Sequence, residues 1–164
     1  MESLYAKLNN LSFMNYVDKF DVSCLTETCV DSTCDFSRLF TDYVKFAAPA
    51  KKISTQGGNS GVLLLIQQSL TAFVKQLKLD CENTVVVKID SCVFNSDKDV
   101  SLIACFVAPK NSPLYETLEV NDGIQILEEK ILQAVQNEDL YSLLCSDLNA
   151  RTCCEQSKLV EVLT

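Results

Sequence analysis

The chain has 164 residues, 48% of them hydrophobic and 22% charged, with a formal net charge of −8. That length suits a single domain over 1–164, able to bury roughly 70% of its unfolded surface, and the composition excludes the low-hydrophobicity, high-charge signature of disorder. No apolar run approaches the ~20 residues of a membrane span; the densest is Val62 to Ile66, and Met1-Glu2-Ser3-Leu4-Tyr5 lacks the basic start and apolar stretch of a signal peptide. The expectation is an intracellular chain, cytoplasmic or nuclear, without a membrane partner.

Residue types narrow the chemistry further. With 22 acidic against 14 basic residues, the chain has no excess of cations to displace counterions from a phosphate backbone, so tight nonspecific nucleic-acid binding is not expected of it alone. Histidine is absent, which removes Ser-His and Cys-His nucleophile pairs, His-ligated zinc and the commonest general base. Nine cysteines are present, yet Cys24, Cys29 and Cys34 fall at intervals of five and Cys153-Cys154 are adjacent, so no C-x-x-C knuckle exists. An odd count without a secretion signal favours buried free thiols, with Cys24, Cys92, Cys105 and Cys145 inside apolar strand-like runs; disulfides come next and a metal site last.

In chain order, Leu4, Leu8, Leu11, Met14 and Val17 recur at helical intervals and predict one helix from Ser3 to Asp18. A short strand follows over Phe20 to Leu25, then a polar, turn-rich stretch over Thr26 to Cys34. Phe36 to Phe40 predicts a helical turn and Tyr43-Val44-Lys45-Phe46 a strand. Pro49 to Ser60 is a polar loop whose Gly57-Gly58-Asn59-Ser60-Gly61 lacks the Lys-Ser/Thr and helix of a P-loop, and it reads as a turn between strands. Val62 to Gln67 predicts a buried strand and Thr71 to Leu79 another, with a slip in its alternation. Val85 to Ile89 and Val100 to Val107 are strands on β-branched content, joined through a turn at Asn95-Ser96-Asp97-Lys98. Ile124, Leu127, Ile131, Leu132 and Val135 predict a helix over Leu118 to Val135, and Tyr141 to Cys145 the last strand. Antiparallel neighbours with flanking helices give an α/β or α+β sandwich.

Carboxylates sit at two strand ends, in Leu25-Thr26-Glu27-Thr28 and in Ser146-Asp147-Leu148-Asn149. A carboxylate at a strand tip is held rigidly and can project into a cleft, as a Mg²⁺ ligand must; either one alone is more often a solvated loop acid.

The segments around them resemble, in order, five blocks of the endonuclease/exonuclease/phosphatase superfamily in the version found in non-LTR retrotransposons. Phe20-Asp21-Val22-Ser23-Cys24-Leu25-Thr26-Glu27-Thr28 resembles the family's D-I-I-C-L-T-E-T strand. Leu39-Phe40-Thr41-Asp42-Tyr43 is similar to L-F-P-D-Y, and Gly57-Gly58 with Gly61 to Ile66 is similar to G-G-G-V-L-I. Leu102-Ile103-Ala104-Cys105-Phe106-Val107-Ala108-Pro109 resembles L-I-G-V-Y-R-P-P. Ile-Ile-Gly-Asp-Phe-Asn-Ala-Arg-Thr of the family is matched by Leu143 to Thr152, which contains Ser146-Asp147-Leu148-Asn149.

The resemblance implies a partial four-layer αββα sandwich, mostly antiparallel, with a Mg²⁺-dependent phosphodiesterase site acting on DNA. It implies that Glu27 binds the metal, that Asp147 positions or deprotonates the attacking water, and that Asn149 holds the scissile phosphate. A cation neutralises phosphate charge while a separate carboxylate orients water for in-line attack.

Departures from the family pattern bear on activity. The family's tyrosine is Phe106 here, and the glycine before its aspartate is Ser146. Ser3-Leu4-Tyr5-Ala6-Lys7-Leu8 matches the family's S-L-x-x-K helix, so the metal-assisting asparagine that precedes that helix has no counterpart. The late aspartate and terminal Asp-His pair of the family also have none. The chain thus reads as truncated at both ends, with little or no nuclease activity, since each lost acid/base partner costs ~10²–10⁴ in rate.

Two functional classes follow. One is a decayed Mg²⁺-dependent DNA-nicking domain; the other is a non-catalytic protein-interaction domain whose open sheet a protein partner covers by strand addition. A metal-dependent phosphatase acting on a small substrate would use the same residues.

Overall fold

A computed structural model of the chain describes residues 4–29, 39–49, 61–78, 83–108, 124, 127–129, 131–132 and 139–147. The expected turn over Phe36 to Phe40 and the loop over Pro49 to Ser60 lie largely outside these residues.

The N-terminal helix is two helices, α1 (Leu4–Leu8) and α2 (Leu11–Val17). The break comes at Asn10, which is extended and whose Oδ1 accepts from Ser12 N at 3.0 Å and Phe13 N at 3.4 Å. That side chain caps a new helix where hydrophobic spacing alone predicts continuity. The far end of α2 is held from another element. The Tyr43 hydroxyl lies 3.1 Å from the Val17 carbonyl and 2.9 Å from the Phe20 carbonyl, sharing one proton between them.

Three strands form the first sheet, in the order β1 (Val22–Thr26), β3 (Val62–Gln67), β2 (Tyr43–Ala48), all antiparallel. Its central strand is the Val-Leu-Leu-Leu-Ile run, buried without alternation because both faces are covered. Leu63 and Leu65 pack against Leu4, Val17, Phe40 and Tyr43, with Phe13 and Met14 of α2 alongside. Val62, Leu64 and Ile66 face the second sheet.

That second sheet has the order β4 (Val74–Leu77), β5 (Thr84–Ile89), β6 (Val100–Phe106), β7 (Tyr141–Asp147). Val85, Val87, Ile89, Leu102, Ala104 and Phe106 point at the first sheet and form the central core with Val62, Leu64 and Ile66. Ile103, Cys105 and Val86 point the other way, onto α3, whose described helical positions are Ile124, Leu127, Glu128, Glu129, Ile131 and Leu132. Helices, sheet, sheet and helix thus make the four layers.

Two details differ from expectation. The stretch over Thr71 to Leu79 contains a 3₁₀ segment, Gln68–Phe73, before the short β4, so only Val74–Leu77 pairs with β5. The last strand runs parallel to β6, from Val100↔Tyr141 to Phe106↔Asp147, and extends beyond Cys145 to include Asp147. Parallel neighbours need a crossover, and α3 lies within it.

At the start of β7 an electrostatic knot fastens the second sheet. Asp99 accepts from Ser91 N at 2.9 Å through Oδ1, and its Oδ2 lies 3.1 Å from Lys88 Nζ. The Asp99 carbonyl accepts from Tyr141 N at 2.9 Å, and the Tyr141 hydroxyl donates to Asp97 at 3.1 Å. The Ser91 N–H, and after it Lys88, hold the Asp99 carboxyl below its ordinary value.

A depressed carboxyl stabilises the folded state above its unfolded pKa, about 3.9, and that contribution is lost as pH falls through the folded value. Acid titration followed by circular dichroism therefore shows stability declining below about pH 4, and Asp99→Asn shallows that decline. Leu64→Ala lowers the unfolding free energy by about 2–5 kcal/mol, whereas Tyr43→Phe costs about 1–2 kcal/mol, both readable by urea denaturation.

Candidate functional site

The loop leaving β1 is strained and clamped. Glu27 and Cys29 both have left-handed backbones, at φ 51° and φ 54°, a conformation costing roughly 1–3 kcal/mol at each non-glycine position. Thr28 between them is buried. Its N–H donates to the Gly61 carbonyl at 3.2 Å, and its own carbonyl accepts from Leu4 N at 3.3 Å. Gly61, just before β3, has φ 105°, open to glycine alone. The Cys29 thiol closes the loop by donating to the Glu27 carbonyl at 3.4 Å. Contacts from α1 and from the start of β3 thus offset the strain and hold Glu27 half-buried at the tip of β1.

Asp147 is the last residue of β7 and lies in register with Phe106, the last residue of β6. The side chain of Asp147 and the whole of Asn149 fall outside the described part of the chain. β1 and β7, though in different sheets, lie across from one another, with the Cys24 thiol 3.7 Å from the Cys145 carbonyl. Cys24 is three residues before Glu27 and Cys145 two before Asp147. At about 3.3 Å per residue, both acid positions stand within about 10 Å of that contact along their strands. The structure therefore brings Glu27 and the backbone of Asp147 to the same β1/β7 side of the sandwich.

Phe106 is buried in the core between the sheets. Its N–H donates to the Asn83 carbonyl at 3.0 Å. Sequence reasoning passed over Asn83, which is buried, has φ 58°, and carries an Oδ1 that meets no donor among the described residues. Asparagine tolerates the left-handed region better than most residues, and its place directly before the Thr84 to Ile89 run was the available signal. The buried Ser146 Oγ is likewise unpaired among the described residues.

The described cysteines are free thiols. Burial first, then the neighbouring Cys145 and Cys105, push Cys24 up to about 12, leaving a protonated, unreactive thiol. Burial also raises Cys145. Cys92 departs from the buried expectation: it sits exposed in a one-turn 3₁₀ segment, Ser91–Val93, after β5.

No group of three or more His, Cys, Asp or Glu side chains able to hold a metal gathers among the described residues. What Glu27 offers is one hard carboxylate donor. That suits Mg²⁺ in kind, since this ion keeps several of its waters and takes one or two protein carboxylates. No helix among the described residues is long and apolar enough to cross a membrane.

No family model matches the sequence, and no curated protein matches it. Solved structures do match the fold. An AP endonuclease from Leishmania major overlays with a TM-score of 0.62 at 15% identity, covering 90% of this chain and 53% of that one. An AP endonuclease from Archaeoglobus fulgidus gives 0.53 at 19% identity, covering 90% and 54%. The catalytic domain of human Nocturnin, solved with bound sulfate, gives 0.52 at 15%, covering 86% and 55%. The chain spans about half the length of each. At these identities the likeness is one of fold: this chain folds as a four-layer sandwich of the kind these structures contain.

Proposed function

We propose that the chain is an endonuclease/exonuclease/phosphatase-type domain of non-LTR retrotransposon descent, built for Mg²⁺-dependent hydrolysis of a DNA phosphodiester and retaining little or no cleavage. The ordered blocks from Phe20 to Thr152 support the descent. The observation that carries the chemistry is the strained, clamped presentation of Glu27 on the same side of the sandwich as the end of β7.

In this reading the Glu27 carboxylate holds the metal. Mg²⁺, when bound, supplies neutralisation of the charge that develops on the phosphate. Asp147 orients the attacking water and takes its proton, and the Asn149 amide donates to a phosphate oxygen. Weakness has two causes in the residues themselves. Phe106 has no hydroxyl to offer a phosphate, and a chain without histidine has no imidazole for the acid/base step. The net charge of −8 also repels DNA at long range.

A second reading, a non-catalytic interaction domain, rests on Leu143. It is paired with the core residue Leu102, yet it is largely exposed at the sheet edge.

Relaxation of supercoiled plasmid tests the first reading. Taking a typical turnover of ~10 s⁻¹ and a loss of 10²–10⁴, Mg²⁺-dependent nicking should run at about 10⁻¹ s⁻¹ or slower. Asp147→Ala and Glu27→Gln should each remove what remains. Nicking that persists in EDTA or survives both substitutions contradicts the assignment of these residues; turnover near 10 s⁻¹ contradicts the decay.

A further inference from the structure

We draw no further inference here: the strongest candidate, the exposed apolar patch of Tyr141 and Leu143 on the edge strand β7 beside β1, carries nothing, because nothing among the described residues shows what covers it.

Discussion

Burial of β3 on both faces is the constraint from which the architecture follows. Leu63, Leu64, Leu65 and Ile66 are fully withdrawn from water, each worth roughly 1.5–3 kcal/mol of transfer free energy. A strand apolar on both faces must be central in its sheet and covered twice. α1 and α2 supply one cover, through Leu4, Val17, Phe13 and Met14. The second sheet supplies the other, through Val85, Val87, Leu102 and Ala104. Once the second sheet faces inward, its outer residues Val86, Ile103 and Cys105 need a cover of their own, and Leu127 and Ile131 of α3 provide it. Stacking the sheets also sets β1 over β7 and places Glu27 and the end of β7 on one side.

Much of this was legible in the residues. The runs at Val62, Val85 and Val100 declared their strands because β-branched and leucine residues left no alternation to misread. The break at Asn10 was not legible, because the spacing of Leu8, Leu11 and Met14 runs through it unbroken. What divides the helix is a side-chain hydrogen bond, which periodicity does not record. The slip noted in Thr71 to Leu79 falls between Val74 and Leu77, inside β4, so the 3₁₀ segment over Gln68–Phe73 left no signal in the alternation. The parallel direction of β7 could not be read locally, since register between distant strands is decided by the crossover. The layering itself came from the resemblance to a family rather than from composition.

The candidate site was legible in its residues but not in its mechanics. Glu27 stands out as an acid at a strand end, but nothing in Thr26-Glu27-Thr28 announces two left-handed residues held by Leu4 and Gly61. Phe106 drew notice for the hydroxyl it lacks; in the fold its ring is core, and its backbone rests on Asn83. Such features depend on contacts between segments far apart in the chain, so they become visible only when the sheets are assembled.

β1 of one sheet lies across β7 of the other, and nuclear Overhauser spectroscopy on the isotope-labelled protein tests that contact directly. The expected result is a set of cross-peaks between the Cys24 β-protons and the backbone protons of β7 around Cys145, as the 3.7 Å contact requires. If Cys24 shows no cross-peak to β7, the two strands are not neighbours, and nothing holds Glu27 and the end of β7 on one side.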